Sequence, residues 1–199
     1  MDKIKIAVTG GIGSGKSLVM QMLKEMGFPC FSCDEIYKEI IKTQDYVEKI
    51  KEAFPSVVVD GKIDRKRLGA FVFQEESKLE KLNEIAHPLI MSSLYAQMEK
   101  CQNKLIFAEI PLLFEGNLER NFDKTIVILR DLIERIESVQ TRDCIAEEEV
   151  KNRMRAQFDY FSNEGEERIR KCNAIILNNR TIEQLRIDLQ KIIDDLLQL

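Results

Sequence analysis

The chain is poor in several things, and each shortage closes a class of function. Among its 199 residues there is no tryptophan, and the one histidine is His87. A zinc site would need a second cysteine pair or more histidines beside Cys30 and Cys33, so that C-x-x-C does not read as a metal site. Nor does it read as a redox motif, because residues 28–31 have the pattern of a strand and not of a strand-to-helix turn. The cysteine count of five is odd, and no secretory core precedes the first strand pattern. Reduced, buried or incidental thiols in a cytoplasmic protein are the expectation. No apolar run approaches the roughly 18 residues that span a bilayer, so no membrane association is expected. Basic residues do not outnumber acidic ones (30 against 34, formal net charge -4), which argues against a nucleic-acid groove. Repeats, low-complexity tracts and linker-like stretches are missing too, leaving one domain over residues 1–199.

What is present alternates. Ile4 to Val8 is a short apolar, β-rich run that stops at Thr9-Gly10-Gly11. From Gly15 the period becomes helical (Leu18, Val19, Met22, Leu23, Met26), with Gly27 as the C′ residue. Further strands are expected at residues 28–32, 105–108, 125–129 and 174–177, and a closing amphipathic helix at 181–199 with Thr181 as its N-cap. Strands alternating with helices predict an α/β fold: a five-stranded parallel sheet covered by helices on both faces. Residues 44–103 are helical in several pieces, too long for a minimal crossover, and read as a helical substrate-binding insertion. Residues 131–171 are charged helical sequence. The core would then comprise about 1–43, 104–130 and 172–199.

Gly10-Gly11-Ile12-Gly13-Ser14-Gly15-Lys16-Ser17 stands between a strand and a helix, which is the setting a phosphate loop requires. Glycines let consecutive N–H groups turn inward, and the helix that starts there adds the positive end of its dipole. Lys16 suits the β- and γ-phosphates, and the Ser17 hydroxyl suits magnesium. The expectation is ATP with Mg2+, held by Gly11, Ile12, Gly13, Ser14, Gly15, Lys16, Ser17 and Leu18. Glu109 ends an apolar strand, as a second metal-directed carboxylate would. Asp34 follows the second strand, near the loop if strands one and two lie close together. It suits either a base for an acceptor hydroxyl or a helix N-cap. Seven arginines (130, 135, 142, 153, 155, 168 and 170) mark residues 131–171 and the residue before them as an arginine-bearing lid, although i,i+4 pairs with glutamates would account for most of them.

Together these landmarks resemble the dephospho-CoA kinase family over essentially the whole chain. The resemblance rests on residues 8–17, Asp34, Ile63-Asp64-Arg65 with Leu68 and Val72-Phe73, residues 85–90 around His87-Pro88, Pro111-Leu112-Leu113-Phe114-Glu115, Arg142-Asp143, Arg153 with Gln157, and Asn178. It implies ATP-dependent phosphorylation of the ribose 3′-hydroxyl of dephospho-coenzyme A, the last step of coenzyme A synthesis. It implies Asp34, Lys16 and Arg142 as catalytic residues, and Arg153 and Asn178 on the ATP side, the latter near adenine. Substrate contacts would come from Asp34, Arg65, His87, Pro88, Leu112, Leu113 and Glu115, and metal contacts from Ser17 and Glu109. His87 would orient substrate or a helix start at Pro88, or serve only structure.

The chain departs from the family at Glu109 and Asn173, where aspartate is usual, at Leu18, where Thr or Ser is common, and at Ser138, where an arginine is expected; Arg135, one turn earlier, is a candidate substitute. Another small-molecule P-loop kinase, of nucleoside-monophosphate or gluconate type, is the alternative, without reason to carry both His87-Pro88 and Pro111 to Glu115. A GTPase-like switch would need an Asn-Lys-x-Asp motif, which the sequence lacks. The expected state is a monomer or a weak homo-oligomer.

Overall fold

The computed structural model describes residues 3–72, 74–155 and 157–198. Phe73 and Leu199, both named above, lie outside the described residues. By internal contacts the chain forms two compact units, Ser32–Lys100 and the remainder.

The larger unit is built on a sheet. Its strands are β1 (Ile4–Thr9), β2 (Cys30–Ser32), then β5 (Leu105–Glu109), β6 (Lys124–Leu129) and β7 (Ala174–Leu177), with β3 and β4 belonging to the other unit. The order across the sheet is β2-β5-β1-β6-β7, and the β1–β5, β1–β6 and β6–β7 pairings are parallel. The five expected strands are present. Strands one and two are not neighbours, however: β5 lies between them, because the chain returns from the helical unit to pair directly with β1. Ile6, Val8, Leu105, Phe107, Ile126, Ile128 and Ile176 share a core with α1 (Lys16–Glu25) and α9 (Ile182–Leu197). The alternating residues Ala7, Ile106, Ala108 and Val127 are also fully buried. Burial on both faces is why these strands read as unbroken apolar runs.

Local signals set the ends of these elements. Gly27 (φ 87°) closes α1, with Gly27 N–H donating to Lys24 O (3.0 Å) and Phe28 N–H to Leu23 O (3.1 Å), the two bonds of a Schellman cap. Thr181 caps α9 by accepting from Gln184 N–H. Asn173 bonds Thr125 through both its side chain and its backbone and so opens the β6–β7 pairing; an acceptor oxygen is needed there, and asparagine supplies it as aspartate would. The charged stretch forms α6 (Leu132–Asp143), α7 (Glu147–Arg155) and α8 (Asn163–Arg170).

The smaller unit begins at Ser32 and not near residue 44, because α2 (Cys33–Ile40) packs on the long α5 (Glu76–Glu99). The helices α3 (Gln44–Ala53) and α4 (Arg65–Val72) also pack on α5. Tyr37 and Tyr46 meet edge to face with hydroxyls 3.3 Å apart, and Phe54 packs against Phe71. Between α3 and α4 the strands β3 (Val58–Val59) and β4 (Lys62–Ile63) form a hairpin. Its turn residues Asp60 and Gly61 both have positive φ (48° and 72°), as a type I′ turn demands.

Candidate active site

The phosphate loop leaves the C-terminal end of β1 and enters α1. Gly10, Gly13 and Gly15 have φ of 151°, 77° and 97°, a region that side-chain-bearing residues rarely adopt. Close packing adds a second reason for glycine. A Cβ at Gly10 would strike the Ile128 carbonyl, at Gly11 the Arg135 guanidinium, at Gly13 the Arg135 backbone, and at Gly15 the Asn178 amide. The loop is thus backed from outside by β6, α6 and the turn after β7.

Its anchors are specific. Asn178 donates from Nδ2 to Ser14 O (2.9 Å), and its own N–H bonds Leu129 O. Ile12 is held on both sides: its N–H donates to Gln157 Oε1 (2.7 Å), and its carbonyl accepts from Arg135 Nε (2.9 Å). The Arg135 side chain is buried, which lowers its pKa, while Tyr160 and Asp159 work the other way. Lys16 Nζ lies in the curl of the loop and donates to Gly10 O (2.7 Å) and Gly11 O (3.2 Å). Among the described residues, Ser14 Oγ is buried with no hydrogen-bond partner. The Leu18 side chain packs against the apolar core, as its place in the helical apolar pattern predicts, so any ligand contact at this position falls to its backbone.

The β1–β5 register places Glu109 beside Val8 at the root of the loop. There Ser17 Oγ donates to Glu109 Oε1 at 3.5 Å. Two hard oxygen donors this close suit magnesium, which takes one or two protein oxygens and completes its shell with phosphate and water.

Past β5, residues 111–117 turn sharply. Leu113 is fully buried and cannot line an open surface, whereas Leu112 is half-buried. Glu115 Oε1 accepts from Phe158 N–H (2.7 Å), and Arg168 Nη1 donates to Phe114 O (2.9 Å). The Arg168 guanidinium also lies 5.4 Å from the Phe158 ring centre, within cation–π reach. Phe114, Phe158 and Tyr160 pack mutually, and Tyr160 meets Thr9 hydroxyl to hydroxyl at 3.3 Å. Burial raises the Tyr160 hydroxyl above its ordinary pKa, so it stays neutral. A cavity of about 670 Å³ lies among Arg135, Gln157, Tyr160, Met154, Phe158 and Phe161.

The remaining arginines divide as charge pairing dictates. Arg130 pairs with Glu134 and Arg170 with Glu166 at i,i+4, while Arg155 bonds Asn152. Arg142 and Arg153 converge on one carboxylate: Arg142 bonds Asp143 twice (2.7 and 2.9 Å) and Arg153 once (3.0 Å). The bond to Asp143 holds the Arg142 guanidinium above its usual pKa and the Asp143 carboxyl below its own.

In the helical unit, Asp34 is the second residue of α2. Ser32 occupies the N-cap position, so the cap reading of Asp34 fails. Its carboxylate is exposed and, among the described residues, makes no hydrogen bond or ion pair. Arg65 opens α4, exposed, directly after Asp64, whose carboxylate caps the helix by accepting from Lys66 and Arg67 N–H. His87 is half-buried in α5, and burial lowers its pKa. Pro88 lies exposed inside α5 and does not start a helix. Proline removes one backbone donor, and the packing of a 24-residue helix tolerates that loss.

Residues 4–184 match the dephospho-CoA kinase family profile. The chain belongs to the dephospho-CoA kinase family. A dephospho-CoA kinase of Fusobacterium nucleatum is 37% identical over 93% of this chain and 94% of its own length, and one of Geobacillus kaustophilus 35% identical over 96% and 95%. A solved Thermus thermophilus protein superposes with a TM-score of 0.85 at 31% identity, covering 98% of each chain. Dephospho-CoA kinase from Campylobacter jejuni gives 0.68 at 29%, covering 96% of each. Shikimate kinases at 12–13% identity and TM-scores of 0.53–0.56 share the fold alone.

The chain is therefore a kinase, a phosphotransferase acting with ATP on a small molecule. Among the described residues no helix is long and apolar enough to cross a membrane. No group of three or more His, Cys, Asp or Glu residues there is arranged to hold a metal, and the five cysteines form no disulfide with one another. Burial pushes the Cys30 thiol up to about 12, which leaves it protonated and unreactive at neutral pH. Sequence reasoning did not foresee the grip of Arg135 and Gln157 on Ile12, nor that of Arg168 on Phe114. The one available signal was the excess of arginine over surface need.

Proposed function

We propose that this kinase transfers the γ-phosphoryl group of ATP to the ribose 3′-hydroxyl of dephospho-CoA, giving coenzyme A and ADP. The observation that carries the reading is the coincidence of a fully built phosphate loop with family membership over residues 4–184. The 3′-oxygen forms the new P–O bond as the bond to the β-phosphate oxygen breaks. Asp34 takes the hydroxyl proton, and its exposed, unpartnered carboxylate supports that role.

The loop N–H groups bind the phosphates, and Lys16 exchanges its two carbonyl bonds for phosphate oxygens. Ser17 and Glu109 would hold Mg2+, Glu109 directly or through water, and the bound ion neutralises charge on the β- and γ-oxygens. Arg142 and Arg153 act on the ATP side from the lid, and Asn178 holds the loop near adenine. Arg65, His87, Pro88, Leu112 and Glu115 contact dephospho-CoA, and Leu113 supports that segment from beneath. The enzyme works in the cytoplasm as a monomer or weak homo-oligomer.

The test is an ADP-release assay with ATP and magnesium across dephospho-CoA, AMP, adenosine, gluconate and shikimate. Strong preference for dephospho-CoA is expected. Turnover confined to AMP would overturn the assignment in favour of a nucleoside-monophosphate kinase.

A further inference from the structure

We infer that Arg135 and Gln157 are positioning residues that clamp the two peptide units flanking Ile12 in the phosphate loop, so that loop geometry depends on α6 and on Gln157 beyond α7. The inference rests on the reading of residues 10–17 as the ATP site. Ile12 is the central residue of the loop's first half, and both of its backbone polar groups are taken by side chains far away in sequence. Arg135 Nε fixes the carbonyl at 2.9 Å, and Gln157 Oε1 fixes the N–H at 2.7 Å.

Geometry supports a fixed arrangement in three further ways. The Arg135 side chain is 9% exposed, so the guanidinium has little room to leave. Gly11 and Gly13 are both packed so tightly on Arg135 that a methyl group at either would strike it. The two clamp residues stand together on the wall of the 670 Å³ cavity, with Tyr160 between that wall and Thr9 at the end of β1. A carbonyl rotated inward would oppose bound phosphate. Holding the Ile12 carbonyl outward in advance removes that reorganisation from the binding step. Arg135 thus braces the loop from behind.

The test compares Arg135→Met, Gln157→Leu and the double variant in steady-state kinetics and in ADP binding by calorimetry. Each single change should raise the KM for ATP and the ADP Kd about tenfold, with kcat within about threefold and the KM for the acceptor unchanged. Because both residues hold the backbone of one residue, Ile12, the double variant should lose much less than the product of the single effects. Gln157→Leu removes no charge and no buried guanidinium, so it decides the matter even where Arg135→Met fails to fold. Unchanged ATP affinity in Gln157→Leu, multiplicative losses in the double variant, or a fall in kcat at constant KM would each overturn the clamp. Lys16→Ala serves as a separate control: wild-type ADP affinity there would mean that the ATP-site reading itself fails, whatever the clamp variants do.

Discussion

In the sheet unit, the side chains around the phosphate loop hold one another. Lys16 bonds two loop carbonyls, Ser17 reaches Glu109, Asn178 grips Ser14, and Arg135 with Gln157 brackets Ile12. In the helical unit the residues assigned to the acceptor are bare by contrast: among the described residues, no hydrogen bond or ion pair holds Asp34, Arg65 or His87. The contrast follows from what each region must recognise. Polyphosphate concentrates charge that rises during transfer, and donors fixed beforehand stabilise it without reorganising. An acceptor hydroxyl needs one base and a few contacts, and a side chain with no protein partner gives up only hydration and rotamer freedom when it turns to a ligand.

The strongest way to break this contrast is at its most tightly held charge. Lys16→Ala removes a cation from the centre of the loop and frees the Gly10 and Gly11 carbonyls. Turnover should fall by about 10³-fold or more, the scale of losing a fixed electrostatic stabiliser. Coupled ADP release measures it, and activity within tenfold of wild type would deny Lys16 any contact with the transferring group.

Asp34→Asn probes the bare side at its most demanding position. The change keeps size and removes basicity. The expected result is a kcat lower by about 10²-fold or more with the ATP KM unaltered. Activity surviving within a few-fold would reduce Asp34 to a contact residue.

The two regions also differ in how far the sequence disclosed them. The phosphate loop was legible because its determinants are consecutive: glycines, one lysine and one serine between a strand and a helix. Gly27, Thr181 and the five strands were legible for the same local reason. The clamp on Ile12 was not, since its partners lie more than a hundred residues away and only folding brings them in. Strand order was equally hidden, and the insertion of β5 between β1 and β2 removes the simple argument that neighbouring strands bring Asp34 to the loop. Burial was misjudged where one residue type serves either role, as with Leu113. Pro88 misled because proline more often opens a helix than interrupts one.

Arg65→Ala sharpens the contrast at smaller scale. Arg65 is exposed at the first residue of α4, and its neighbour Asp64 carries the capping, so the substitution should leave the helix intact. Loss of one charge-assisted contact predicts a rise of about tenfold in the acceptor KM, with the ATP KM unchanged. A rise in the ATP KM instead would move Arg65 to the phosphate side.

The smallest effect concerns His87, and it separates structure from function in the bare region. Burial lowers its pKa below the ordinary 6.5, so the folded protein binds this proton less readily than the unfolded chain. Between those two pKa values the unfolded state holds more protons, and stability therefore rises with pH. The contribution is fully present above pH 6.5 and is lost as pH falls towards the folded pKa. His87→Gln removes the titration. The melting temperature of wild type relative to the variant should be constant above pH 6.5 and decline as pH falls below it. Parallel curves would show that His87 is solvated enough to titrate alike in both states. An acceptor KM that rises in His87→Gln at pH 8, where the imidazole is neutral in either state, would then assign it to substrate orientation by hydrogen bonding and not by charge.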